Sequence, residues 1–596
     1  MRASVIALWL SGLVPRVVVL TTAQTSGEQA AFYVPHSSGR VITPAVSAFI
    51  EDALATSTIP GLALGVVRLD ESRQHMVELE AWGRQTEEGD GDDLTPDALF
   101  AIASCSKSFL VTSLGLLMDD FAQGRNVTPL PSGISRFDWD TKVRDLLPDE
   151  WGLHDEWTEV SLSLRDAFSH RSGLPRHDFS YKPGDTATEV LWRLRHLLPA
   201  YEPREQWMYN NQMYMVGAHI VSRLSNMSYQ SFASSRIFAP LHMNSTTFSP
   251  SEAAKTGRLT QTWTRGVRRV PFWFSDEVAD LFAGAGGIIS SAEDVTKWLA
   301  VLLNKGVDPL TTATIIPASV LEAMTTTRAV VSGIPEGPLS IIGYGMGWFR
   351  MAYKGHDVVW HFGAIPGFSL LVAFLPRGNL GVVLLANMDE KQENNMKILY
   401  RVIDEALGQP QNAEDEVSVP DIFRYNIPAV PGQGGIGSEP LPLTLDAYAG
   451  TYEDPLYGST TFCSPLSTSE YCIRVLEDFA LVDSFSHSPS SPSLLAAWPQ
   501  VWSSHVRLRH STGTTFALTF PRLFPQGYGK NTTPFEFYDS QISVGRVEFV
   551  VEGKEDERRV VGFSLITDEQ AAAARVARSQ RGVREVGDAW FTKTIS

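Results

Sequence analysis

The sequence predicts a mixed α/β chain of the α+β kind, with antiparallel strands and helices followed by a separate all-β unit. Three observations carry this. Ser369 to Phe374 and Gly381 to Ala386 are apolar runs on either side of Pro376-Arg377-Gly378, which reads as a buried antiparallel pair joined by a tight turn. Leu110, Leu114, Leu117 and Phe121 recur at helical spacing on one face, and Gly124 ends that helix. Beyond an acidic, then Pro- and Gly-rich stretch at 411–440, the texture changes to short strands and turns.

Taken in order, residues 1–23 carry Arg2, an apolar run from Val5 to Val14 and a small-residue cleavage candidate at Thr21-Thr22-Ala23. This reads as a secretory signal peptide; Pro15 and Arg16 break the run, so no stable membrane span is expected. Secretion is the location this favours, with a cytoplasmic chain as the alternative. Sequons at Asn126, Asn226, Asn244 and Asn531 make a glycoprotein the matching expectation. Thr43-Pro44 starts a helix, and Gly61 to Val67 and Met76 to Trp82 read as paired strands. Leu164 to His170 is a short helix ended by Gly173-Leu174-Pro175, and His170 in that loop reads as structural. Gly284, Gly286 and Gly287 lack the Lys-Ser/Thr of a phosphate loop and mark close backbone packing, while Ser291-Ala-Glu-Asp294 caps a helix. Val402 to Leu407 belongs to a closing helix. The expected organisation is therefore a first domain at 24–410, a linker at 411–440, an all-β domain at 441–569 without a long helix, and a polar peripheral tail at 570–596.

Composition excludes some functions. The 596 residues are 43% hydrophobic and carry a formal charge of −18, which suits a globular chain with ample core and opposes nucleic acid as a partner. There is neither a pair of Cys-x-x-Cys motifs nor a His-Glu-x-x-His, so no metal and no cofactor is implied. Cys105 reads as a small buried hydrophobe. Cys463 and Cys472 flank a polar stretch with hairpin character; a disulfide between them stays open, since export would permit it and the cytosol would not.

The chemistry centres on Ser104-Cys-Ser-Lys107 at the head of the first long helix. Three residues apart on a helix, Ser104 and Lys107 share a face, and the helix N-terminus favours developing negative charge. A serine hydroxyl becomes a nucleophile when a neighbour takes its proton, and a lysine does that once burial or another cation lowers its pKa. Tyr209-Asn-Asn211 precedes another helix, and a phenol beside a lysine can shuttle protons. His361-Phe-Gly363-Ala364 precedes the apolar strand pair.

Ser104-x-x-Lys107, Tyr209-x-Asn211 and His361-x-Gly363, in this order, resemble the serine β-lactamase and DD-peptidase superfamily, closest to its class C β-lactamase, D-aminopeptidase and esterase branch. Ser169-His-Arg-Ser-Gly-Leu-Pro175 and Gly284-Ala-Gly-Gly287 look like the same branch, and the resemblance spans roughly residues 44–410. Tyr448-Ala-Gly-Thr-Tyr452 through Gly458 looks like the lipocalin-like β domain that often follows it. The resemblance implies an antiparallel sheet flanked by helices, plus a helical lobe, then a small all-β barrel-like domain. It implies Ser104, Lys107 and Tyr209 as catalytic residues, with Asn211, His361, Gly363 and Ala364 binding substrate. The N–H groups of Ser104 and Ala364 would hold an oxyanion, and His361 would orient substrate and tune Tyr209. The expected activity is a serine hydrolase forming an acyl-enzyme on an ester or amide of a small molecule or peptide. An acyltransferase of the same fold and a non-catalytic binding protein are the alternatives, and oligomeric state is left open.

Overall fold

The computed structural model describes residues 39–409 and 439–594, apart from 71, 89–92, 485–491, 539–544, 555–556 and 579–581. The expected leader at 1–23 and nearly all of the expected linker at 411–440 lie outside these residues.

The main sheet has eight antiparallel strands. They are β1 Gly61–Leu69, β2 His75–Gly83, β3 Ala329–Ser332, β4 Ile342–Tyr344, β5 Phe349–Tyr353, β6 His356–Ile365, β7 Phe368–Leu375 and β8 Leu380–Ala386, in the order β2-β1-β8-β7-β6-β5-β4-β3. Every residue of β1, β7 and β8 is buried, as strands covered on both faces require. The flanking helices include α1 Pro44–Ser57, α4 Ala292–Leu303 and α5 Gln392–Leu407, with the helical lobe built around α2 Lys107–Ala122 and α3 Gln212–Ser225. Gly65 and Gly381 let α4 lie against the sheet: a Cβ on Gly65 would stand 2.7 Å from Thr296, and one on Gly381 3.1 Å from Leu299.

The sequence places one apolar face on α2. The structure instead buries it nearly all round, including Lys107, Ser108, Thr112 and Ser113. The physical reason is its central position, with α3 on one side and the helix Ala318–Thr325 on another, where Val320 occupies the space a Cβ on Gly115 would need.

The second sheet also has eight strands: β9 Gly450–Asp454, β10 Gly458–Phe462, β11 Ser493–Ala497, β12 His505–Thr512, β13 Thr515–Thr519, β14 Gly545–Glu552, β15 Arg559–Ile566 and β16 Ala589–Lys593, in the order β10-β9-β16-β15-β14-β13-β12-β11. An isolated bridge between Cys463 and Leu495 links its two ends, with N to O distances of 2.8 and 3.0 Å, and leaves the sheet nearly closed and barrel-like.

Two expectations for this region change. The segment 570–596 is not a peripheral tail: β16 pairs with both β9 and β15, and Phe591 on it is fully buried. Arg575 pairs with Asp588 at 2.9 Å and reaches back to the carbonyls of Leu198 and Pro199. The β unit also contains a long helix, α6 Glu470–Asp483, where strands and turns are expected. Its buried residues Cys472, Val475, Phe479 and Val482 follow a helical period, and Ser469 caps its start. Cys472 therefore sits on a helix and not in a hairpin, and it is disulfide-bonded to Cys463.

The barrel packs directly on the first domain, and the described residues of the two form one compact unit. The loop between β11 and β12 reaches the first domain: Val501 N–H donates to Tyr181 O at 2.9 Å, and Trp273 Nε1 donates to Val501 O at 3.0 Å. Phe179 stacks on Phe520 with ring centres 4.1 Å apart. A chain ending at residue 409 would uncover Phe179, Trp273, Phe274 and Phe282. We expect it to unfold at lower urea than the full chain and to bind an apolar dye, read by fluorescence across a denaturation series; an unchanged midpoint would show that the barrel adds no stability.

Candidate active site

The turn that carries Ser104 is a 3-10 turn, Ala103–Ser106, which runs into α2 at Lys107. In that geometry residues three apart eclipse one another, so Lys107 lies directly over Ser104. Ala103 has φ +45°, a left-handed conformation rare outside glycine and a mark of strain held in place by its surroundings. Those surroundings are the short pair Phe100–Ala101 with Ile289–Ser290, and β6 on the other side. At Gly363 a Cβ would stand 2.3 Å from Ile102 O, so glycine is what lets β6 come this close.

Lys107 is fully buried. Its Nζ is 3.1 Å from Ser104 Oγ, 2.8 Å from Asn211 Oδ1 and 2.6 Å from Ala285 O. Burial first, and then the Arg176 guanidinium, hold its amine well below the usual lysine range, against a smaller pull from Asp178. Tyr209 O–H donates to Ser104 Oγ at 2.7 Å. Asn211 bridges Lys107 to Asp178, its Nδ2 lying 3.2 Å from Asp178 Oδ1, and Asp178 in turn pairs with Arg176 at 2.6 Å. The glycine-rich stretch supplies the Ala285 carbonyl: a Cβ on Gly284 would meet Tyr214 O at 2.5 Å, and one on Gly287 would meet Ala279 O at 2.6 Å. Close backbone packing is thus the reason for these glycines.

The structure brings Ser104, Lys107, Tyr209 and Asn211 into one hydrogen-bonded cluster, and Ala364 lines the same pocket. His361 differs from expectation. Its ring is fully buried, so it cannot orient a substrate by contact, and its centre is 6.5 Å from that of Tyr209. Nδ1–H donates to Phe362 O at 2.6 Å and Nε2 accepts from Tyr344 O–H at 3.1 Å, which is the neutral tautomer. Burial, then Lys107, push its pKa down to about 3. Gly363 likewise serves close packing and is absent from the residues lining the pocket. Cys105 is buried as expected, and burial pushes its thiol well above the usual range, so it is no rival nucleophile.

Sequence reasoning missed three residues, Arg176, Asp178 and Trp502; His170 it read as structural, as its fully buried ring shows it to be. Arg176 and Asp178 follow closely on Gly173-Leu174-Pro175, and reading three residues past that motif would have found an opposite-charge pair. His170, at φ +57°, accepts from Asn210 N–H at 3.0 Å and lays its ring 4.3 Å from that of Tyr209. Trp502 enters from the β unit, signalled only by the aromatic-rich Trp498-Pro-Gln-Val-Trp502.

Comparison with known proteins bears on the family and the fold. The family model described as Beta-lactamase matches residues 46–406. The unguisins hydrolase ungD of Aspergillus violaceofuscus is 28% identical over 445 residues, covering 69% of this chain and 74% of that protein. Its counterpart ungD' from Aspergillus campestris is 27% identical over 395 residues, 62% of this chain and 69% of that protein. The octameric penicillin-binding protein homologue from Pyrococcus abyssi shares the fold, with a TM-score of 0.52 at 17% identity, over 87% of this chain and 99% of that one.

Buried neutral histidines make the fold sensitive to acid. His361 titrates at about 3, and burial pushes His177, whose Nδ1 lies 3.1 Å from Tyr457 OH, down to about 4. Both values lie below the unfolded reference of about 6.5. Their contribution is therefore fully present above pH 6.5 and is lost as pH falls toward 4 and then 3. Each should remove about 1.4 kcal/mol per pH unit within that window. Urea midpoints between pH 7 and 4 should fall accordingly, and His177→Gln should lose less over that range than the native chain; equal losses would assign the acid sensitivity elsewhere.

Proposed function

The chain belongs to the beta-lactamase family, and from that premise we propose that it is a serine hydrolase cleaving an ester or amide of a small molecule or peptide through an acyl-enzyme. The single observation that carries this is the buried Lys107 amine 3.1 Å from Ser104 Oγ, with Tyr209 O–H 2.7 Å from the same oxygen. The family's hydrolase fold and relatives named as hydrolases support the reaction class.

A neutral amine has two N–H bonds and one lone pair. Asn211 Oδ1 and Ala285 O accept the two N–H bonds, which leaves the lone pair for the Ser104 hydroxyl. Burial keeps the amine neutral, so it can take the proton. Ser104 Oγ then bonds to the substrate carbonyl carbon as its proton passes to Lys107 Nζ. The oxyanion forms between the N–H groups of Ser104 and Ala364. Tyr209 gives its proton to the departing nitrogen or oxygen and is reprotonated from Lys107. Water repeats the sequence on the ester of Ser104 and releases the acid. Asn211 holds the amine and contributes to substrate binding. His361 acts behind this cluster, through Tyr344.

Export suits the same reading. The leader-like residues 1–23, the sequons and the Cys463–Cys472 disulfide support an oxidising compartment.

Ser104→Ala should abolish the covalent adduct that a fluorophosphonate or activated ester leaves on the intact protein, read by mass. Lys107→Ala and Tyr209→Phe should each slow acylation by about two to four decades, as lost acid–base catalysis does. Because the two share one proton, the double variant should be little slower than either single. Losses that multiply in this cycle would show independent action, and an adduct surviving in Ser104→Ala would move the nucleophile.

A further inference from the structure

The small pocket beside Ser104 offers a substrate mainly polar groups. Phe274, Phe282 and Trp502 border it, but all three are buried and their rings pack on one another. The polar side chains on it are Ser104, Asn211 and Arg176, and among the described residues that line it Arg176 alone carries a charge. The Arg176 side chain is 25% exposed. Asp178 holds its guanidinium through Nε at 2.7 Å and through a terminal nitrogen at 2.6 Å, both on one carboxylate oxygen. That carboxylate is sealed, at 1% exposed, and also accepts from Asn211 Nδ2 at 3.2 and 3.3 Å. The ion pair is therefore one-sided. Its anion is engaged inside the protein and fixes the cation, and the cation is the member that reaches the pocket.

Arg176 also stands close to the reacting atoms. Its guanidinium carbon is 5.2 Å from the centre of the Tyr209 ring, and the hydroxyl of that ring is 2.7 Å from Ser104 Oγ. A short acyl chain spans that separation. The pocket is lined by Ser104, Asn211 and Ala364, whereas Tyr209, which serves the leaving group in the proposed reaction, is not among its lining residues. The pocket therefore meets the acyl half of a substrate. We infer that Arg176 makes the enzyme select acyl groups that end in a carboxylate a few carbon atoms from the scissile carbonyl. A guanidinium binds a carboxylate through charge-assisted N–H bonds, and a methyl end of the same chain gains none of them. Selection of this kind is worth about 10- to 100-fold in rate. The inference rests on the hydrolase reading and deepens it by naming a substrate class.

The test uses the full chain and p-nitrophenyl esters, which share one leaving group. The hydrogen glutarate is set against the pentanoate, and the hydrogen adipate against the hexanoate, so each pair differs only in a carboxylate or a methyl at the chain end. The readout is the ratio of acylation rates within each pair, with spontaneous release subtracted. Loss of folded protein, and any change at Lys107 that slows acylation in general, cancel in that ratio. The native enzyme should favour the carboxylate ester at least 10-fold in one pair or both. Arg176→Gln should cut that preference at least 10-fold. Arg176→Gln combined with Asp178→Asn removes both charges and leaves no unpaired buried carboxylate; it is read in the same way, so the result does not depend on the single variant folding. Native ratios near or below one in both pairs, or a ratio unchanged in the two variants, overturn the role of Arg176 and leave the hydrolase reading intact. A native enzyme acylated by none of these esters overturns both.

Discussion

A buried amine is the constraint on which the site depends. Lys107 is enclosed at the centre of the molecule, and an ammonium there without compensation would cost several kcal/mol. The structure meets this with neutral acceptors, Asn211 Oδ1 and Ala285 O, and keeps the nearest carboxylate, Asp178, one residue removed behind Asn211. Asp178 also carries the Arg176 ion pair, so the cation that depresses Lys107 is itself held. The balance favours a neutral amine beside a serine, which is the protonation state that proton abstraction needs.

This demand reaches well into the fold. The acceptors come from two separate segments, and both must approach α2 at backbone distance. Gly284 and Gly287 permit one approach, and Gly363 lets β6 close over the Ser104 turn. The backbone strain at Ala103 and His170 falls on either side of the cluster, where surrounding packing over-determines the conformation. His170 and His361 line its apolar side with neutral rings; Tyr344 is hydrogen-bonded to His361, and its ring centre lies 4.9 Å from that of His170. A protonated ring at either place would add a cation next to Lys107, and burial prevents that.

The β unit belongs to this arrangement through packing. Its loop exchanges main-chain and indole hydrogen bonds with the first domain, and its rings join a shared aromatic cluster. Tyr457 adds a contact to His177, the residue between Arg176 and Asp178. The barrel thus touches the chain segment that sets the charge around Lys107 as well as the pocket wall.

The sequence by itself determined the family, the antiparallel strand pair, the helix at Lys107 and the cluster of Ser104, Lys107, Tyr209 and Asn211. The strand pair is legible as two continuous apolar runs about a turn, the helix by its period, Ser104 and Lys107 as residues three apart on a turn, and Tyr209 and Asn211 through the ordered motifs that resemble the family. It also read Cys105 as buried and the glycine-rich stretch as packing. What it misread depends on distant neighbours. His361 sits in a recognisable motif, yet only the packing of Tyr344 and Phe349 around it decides that its ring is sealed from the pocket. The last strand, Ala589–Lys593, is short and follows polar residues, so only its two partners make it part of the barrel. Trp502 stands nearly 400 residues from Ser104, and no local pattern can bring them together. Tertiary structure alone decided these, because burial and contact are set by what packs from elsewhere in the chain, while spacing along the chain sets only which side chains share a face.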